Sequence, residues 1–323
     1  MKDRDVSIDI LKFLAVILVT NSHMDILYVK FSAFATGGTI GDVLFLFCSG
    51  FTLFMKPISS IREFPNWYKR RINRIYPSIL AIAIISCIIF NNNSSIVNIL
   101  LFGGGSFIAF IMIYYIIIFM IGLYCNKIIF WIICFVSALS CICFFFIDRP
   151  FPFNMYGDCY LKWIVYFIFM LLGAKMGKNE IFPKASSSRN LLYSFIGIAF
   201  YYAFYFLGLK IQSIEYIEVF NFIPLLFAVY YLYQWGNGDF AKSLYNSKIG
   251  YFFIRFIGGL CLEVYLIQSY IIKDSLNFLF PLSIPIIFCA IILAAYISRC
   301  FARFISQTFK EAPYNWKKLF DRY

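Results

Sequence analysis

The chain has 323 residues, of which 62% are hydrophobic and only 14% charged, and its formal net charge is +12. A soluble domain carries roughly a quarter charged residues, so composition excludes a soluble globular domain, a disordered chain and a disulfide scaffold. The surplus of cations belongs to the inner border of a membrane protein rather than to a nucleic-acid surface, because no basic soluble segment exists to carry one.

Taken in order, ten apolar runs read as membrane helices in an all-α, polytopic chain. They are Ile8–Tyr28, Ile40–Met55, Ile75–Phe90, Phe107–Tyr124, Ile128–Ile147, Leu161–Met176, Leu191–Leu209, Val219–Trp235, Phe252–Ile272 and Pro281–Phe304. The first run is too long for a signal-peptide core and is followed by polar residues, so it is expected to stay in the mature protein. Asn91–Ser95 and Gly103–Gly105 separate the third and fourth runs, and neither is followed by the Gly-Lys-Ser/Thr of a phosphate loop. Lys184–Arg189 is a plain connector. Residues 1–323 read as one membrane-embedded domain, with a basic tail at 308–323 lying on the anionic inner leaflet.

Charge orients the runs. With the N-terminus inside, only Lys30, Arg149, Lys162, Lys210 and Lys273 of the 28 lysines and arginines fall outside. This asymmetry predicts an even number of helices with both termini cytoplasmic. The ten cysteines fall mostly in apolar runs without a C-x-x-C, and the single histidine cannot build a histidine-rich site, so no metal is expected.

That histidine, His23, lies toward the outer end of the first run, near Asn21, Ser22 and Asp25. An imidazole in a membrane helix is costly and points to function. Lys12 stands eleven residues before it, about three helical turns and about 16 Å along the same face. Asp9 is one turn before Lys12 and within pairing range. On a regular helix Asp25 points about 200° away from His23, so a His–Asp pair requires the helix to end or unwind there. In the second run, Asp42 lies near the outer side, and Ser49 and Gly50 permit close approach of a helix or a ligand. Arg71 and Arg74 are one turn apart in Trp67–Pro77. Guanidinium forks suit phosphate, and the flanking aromatic faces suit a nucleobase. Glu263 is a carboxylate in an apolar run that must find a cation or a shared proton. Gln268 and Ser269 follow it.

In this order these segments resemble the integral-membrane acyltransferase family 3 of bacteria. Lys12 to His23 keeps the spacing of the family's first-helix Arg and His, with lysine in place of arginine. Ser49-Gly50-Phe51 and Arg71-Ile-Asn-Arg74-Ile-Tyr-Pro77 are similar to two further family segments. Phe169–Ala174 fits a mid-chain pattern, and Tyr265-Leu-Ile-Gln268 is similar to a late Tyr-Leu-x-His with glutamine replacing histidine. The resemblance implies transfer of an acyl group, acetyl in the first instance, from acyl-CoA to a hydroxyl of a cell-surface or lipid-linked glycan in the bacterial cytoplasmic membrane. Lys12, Arg71 and Arg74 would hold the acyl-CoA phosphates. His23 would act as general base or acyl carrier, with Glu263, chosen over Asp25, balancing its charge. Asn21, Asp25 and Asp42 would meet the acceptor, and Tyr28, Tyr114 and Tyr115 are candidates for stacking on sugar rings. Two rival readings are a proton-coupled exporter of an acylated or sugar compound, and an inactive scaffold or sensor suggested by Lys12 and Gln268.

Overall fold

A computed structural model describes residues 5–89, 105–148, 151–157, 159–178, 187–309 and 313–321. Asn91–Ser95, Gly103, Gly104, part of the 184–189 connector, and Lys2, Arg4 and Arg149 lie outside the described residues. All regular structure among the described residues is helical. The principal helices are α1 (Val6–Ser22), α2 (Gly38–Phe54), α3 (Phe64–Ile89), α4 (Ser106–Tyr124), α5 (Ile129–Phe146), α6 (Leu161–Gly177), α7 (Ser187–Lys210), α8 (Phe222–Gly236), α9 (Asp239–Asn246), α10 (Lys248–Gly259), α11 (Cys261–Ile271), α12 (Ser283–Thr308) and α13 (Trp316–Leu319).

Among the described residues seven helical segments are long and apolar enough to cross a membrane, and there are eight if α10 and α11, bent by 72°, form one broken span. The ten apolar runs of the sequence all fall on helices, but α1 and α6 are only 17 residues long, which accounts for the difference. Outward-facing Phe130, Trp131, Phe135, Phe145 and Phe146 leave one side of α5 exposed, as suits a surface solvated by lipid. The short α9 is an element that the sequence reading missed.

The described chain divides into two compact units, and α1, α2, α4 and α10 each contribute residues to both. The first contains Met1–Lys12, Asp42–Ile58 and Met120–Tyr251. Its central helix is α6, which is apolar and buried on every side, from Leu161 and Trp163 through Phe169 and Met170 to Gly177. A Cβ on Gly50 would collide with the Met170 carbonyl, one on Gly173 with that of Phe47, and one on Gly177 with that of Phe51. Gly173-Ala-Lys-Met-Gly177 thus lets two backbones touch, as small residues four apart do in membranes. The close approach expected at Gly50 is to another helix. Elsewhere in this unit, Ser194 on α7 donates to the Ala228 carbonyl of α8 at 3.1 Å, and Tyr245 on α9 donates to Asp9 at 3.0 Å.

The second unit contains Phe13–Gly41, Ser59–Phe119 and Phe252–Tyr323. Here α12 packs on α3 and α11, and α11 packs on α3. The break between α10 and α11 follows Gly258-Gly259, a glycine pair at which helices kink. The tail folds back on α12. Tyr296 donates to the Phe320 carbonyl at 2.9 Å, Arg303 donates to the Leu319 carbonyl at 3.3 Å, and Leu319 is buried.

Candidate functional site

His23, expected within the first membrane helix toward its outer end, lies past it: α1 ends at Ser22, and His23 is exposed in the turn beyond. Backbone bonds from His23 to the Thr20 carbonyl (3.2 Å) and from Met24 to the Asn21 carbonyl (3.1 Å) tighten the last turn. Asn21 then anchors the following loop. Its amide donates to the carbonyls of Phe34 (2.8 Å) and Thr36 (2.9 Å), and its oxygen accepts from the Tyr28 hydroxyl at 2.6 Å. Both ends of the Asn21 amide are therefore used within the chain. In the same loop Val29 has φ 49°, a left-handed conformation that a β-branched residue adopts only under constraint.

The His23 ring has no hydrogen-bond partner among the described residues. Partial desolvation lowers its pKa from the ordinary value, and nearby Asp25 acts in the opposite direction. The end of the helix at Ser22 supplies the condition a His–Asp pair needs, since Asp25 opens a 3-10 turn, Asp25–Leu27, instead of continuing α1.

Glu263 is buried, and it has found the cation that an intramembrane carboxylate requires. One oxygen accepts from Ser78 on α3 at 2.8 Å, and the other faces Arg299 on α12 at 3.2 Å. Arg299 also donates to the Gly259 carbonyl, a group released where α10 stops. His23 is not among the partners of Glu263 in the described residues. Farther along α11, Gln268 is buried and its Oε1 has no hydrogen-bond partner among the described residues.

Arg71 and Arg74 lie inside α3, which starts at Phe64. The guanidinium of Arg71 rests over the Trp67 ring, 4.9 Å from its centroid. Trp67 in turn meets Tyr115 edge-on at 6.3 Å. The Arg71 Nε is buried without a hydrogen-bond partner among the described residues, while Arg74, one turn on, is exposed. The guanidinium is thus held flat on an aromatic face with one donor unused. Tyr114 and Tyr115 are buried and serve packing, whereas Tyr28 is half-buried and lies 6.3 Å from Phe280.

Lys12 and Asp42 belong to the first unit. Lys12 is half-buried. Asp9, expected to pair with it, accepts from Tyr245. Asp42 accepts from Tyr166 at 3.0 Å, and Tyr166 stacks on Tyr156 at 6.0 Å. Fully buried Glu218 accepts from the Met155 amide at 2.9 Å. Its second oxygen, the Tyr156 hydroxyl and both polar atoms of the Asn221 amide have no hydrogen-bond partners among the described residues. Glu218, Asn221, Tyr166 and Arg299 were not singled out from sequence. A signal did exist for Arg299, as a cation in the last apolar run once Glu263 required a partner.

A family described as an acyltransferase domain, the third of its series, matches residues 5–303. No curated protein and no solved structure matches the chain.

Proposed function

This chain belongs to acyltransferase family 3, a multi-pass membrane acyltransferase, and on that premise we propose that acyl-CoA is its donor and a glycan hydroxyl its acceptor. The transferred group is acetyl in the first instance, the acceptor is a cell-surface or lipid-linked sugar, and the setting is a bacterial cytoplasmic membrane. The observation that carries the donor assignment is Arg71, stacked on Trp67 with a buried, unused Nε and with Arg74 one turn on. That pair offers forks to phosphate oxygens. Lys12, in the other unit, stays a candidate for donor binding only on its sequence spacing from His23.

In the proposed reaction neutral His23 removes the proton of the acceptor hydroxyl as its oxygen attacks the thioester carbonyl. The carbon–sulfur bond then breaks, and the imidazolium returns a proton to the departing thiolate. Asp25 balances the imidazolium charge. We assign this part to Asp25 rather than Glu263 because α1 ends before it and because Glu263 is engaged by Arg299 and Ser78. Glu263 then acts as a positioning residue. Asp42, with Glu218 and Asn221 in its own unit, supplies the hydroxyl-binding groups we assign to acceptor recognition, and Asn21 shapes the loop that carries His23 and Asp25.

The experiment is transfer of labelled acetyl from acetyl-CoA in membrane vesicles. Label joined covalently to a glycan, lost in His23→Ala and weakened in donor affinity by Arg71→Ala with Arg74→Ala, is the expected result. Undiminished transfer in His23→Ala overturns the mechanism. A second reading, proton-coupled export, is favoured by the 72° break between α10 and α11, because transporters bind cargo at discontinuous helices. It predicts pH-dependent uptake without covalent labelling.

A further inference from the structure

A partly open cavity of about 190 Å³ lies in the first unit, where the ends of α2 and α6 meet α4 and the turn at Asn126. Its walls combine Phe54 and Ile58 with two ammonium groups, Lys56 and Lys178, and its lining contains no carboxylate among the described residues. Lys56 follows α2 by two residues and Lys178 is the cap of α6. Both cations thus stand at the ends of apolar helices, where lysine stems lie along apolar surface and the ammonium groups reach toward polar surroundings. Lys178 donates to the Asn126 backbone carbonyl and lies 6.0 Å from the Phe54 ring centroid. The Asn126 side-chain oxygen is buried with no hydrogen-bond partner among the described residues. Gly122 on α4 packs closely against this wall: a Cβ there would come within 2.7 Å of the Ile58 Cδ1 and 3.1 Å of the Phe54 ring.

These features specify a ligand. Two cations without a lining acid select an anion. An orphaned acceptor oxygen calls for a hydroxyl or other donor beside that anion. The apolar wall suits a glyceryl stem. The volume is below the roughly 300 Å³ at which pockets for drug-sized ligands begin, so a headgroup fits and a nucleotide does not. We propose that this cavity binds a phosphoester carrying a neighbouring hydroxyl, of the glycerophosphate class. Its source is either the headgroup of an anionic membrane lipid or a small soluble phosphate ester. The site is separate from the donor and acceptor assignments above and does not depend on them.

The test is thermal unfolding of the full chain in nanodiscs. Discs of phosphatidylcholine alone are compared with discs containing phosphatidylglycerol, and phosphatidylcholine discs are titrated with glycerol 3-phosphate. Phosphatidylglycerol is expected to raise Tm. Lys56→Gln combined with Lys178→Gln is expected to remove most of that rise. Gly122→Val, which crowds Ile58 and Phe54 in the cavity wall and leaves both charges in place, is expected to do the same. A rise produced by glycerol 3-phosphate alone assigns the ligand to the soluble pool. No rise with either addition overturns the proposal. So does a rise that survives in both variants, because it would reflect bulk charge on the membrane.

Discussion

Glu263 and His23 are both ionisable residues of the second unit, and their surroundings treat them in opposite ways. Glu263 is closed in on every side: Ser78 and Arg299 occupy its two oxygens, and Arg299 in turn covers a carbonyl released at the break after Gly259. His23 is exposed past the end of α1, on a loop anchored by Asn21, with no hydrogen-bond partner for its ring among the described residues. A satisfied buried charge marks a place where the fold would fail without it. An unsatisfied imidazole on an anchored loop leaves its chemistry available to something else. This contrast is the ground on which we propose an architectural part for Glu263 and a reactive one for His23.

The sharpest way to break the contrast is to remove each group and measure two properties. His23→Ala is expected to lower the transfer rate by about 10²–10⁴-fold, the usual contribution of a general base, with Tm unchanged. Glu263→Ala is expected to cost about 1–3 kcal/mol of stability by leaving half-buried Arg299 without its counter-ion, read as loss of folded protein in detergent. Replacing Glu263 and Arg299 together by apolar residues should recover much of that loss. If Glu263→Ala instead lowers transfer with Tm intact, the assignment of roles is reversed.

A smaller effect is expected at Asn21. Asn21→Ala removes donors to the Phe34 and Thr36 carbonyls and the acceptor for Tyr28. Two of these bonds are exposed and the third half-buried, so water replaces the lost partner and the cost is about 0.5–1.5 kcal/mol. The loss should be local, seen as faster amide exchange across residues 23–37 with global Tm little changed. Exchange that stays slow would mean the loop is held by other contacts, such as Asn277 donating to the Ile26 carbonyl at 2.8 Å.

The helices were legible in the sequence because lipid permits little else. With no water to satisfy backbone groups, long apolar runs must be helical, and the runs coincide with helices even where α1 and α6 are short. The Arg71–Arg74 pair was legible too, as two guanidinium groups one turn apart beside aromatic residues. The termination of α1 was not. The run stays apolar enough beyond Ser22, through Ile26 and Leu27, to look continuous, and the turn that follows α1 is tied by Asn21 to carbonyls more than a dozen residues away, which no local pattern shows. The partner of Glu263 was illegible for a similar reason, since Arg299 lies 36 residues on and only the packing of α12 on α11 brings them together. Gly50 showed that something would approach closely. Only the fold shows that it is the Met170 carbonyl.

The smallest predicted effect bears most directly on the choice of Asp25 as the partner of His23. Desolvation depresses the imidazole pKa and the Asp25 carboxylate raises it. A general base must be neutral to accept a proton, so transfer should hold constant at neutral pH and fall as pH drops through the His23 pKa, which lies below the ordinary value of about 6.5. Asp25→Asn removes the opposing charge and leaves the desolvation, so the acid limb of the pH–rate profile should move to lower pH. Glu263→Gln, which keeps the shape and removes a charge that Arg299 already engages, should leave the limb where it is. A limb that moves with Glu263 and not with Asp25 would restore Glu263 as the charge partner of the imidazole.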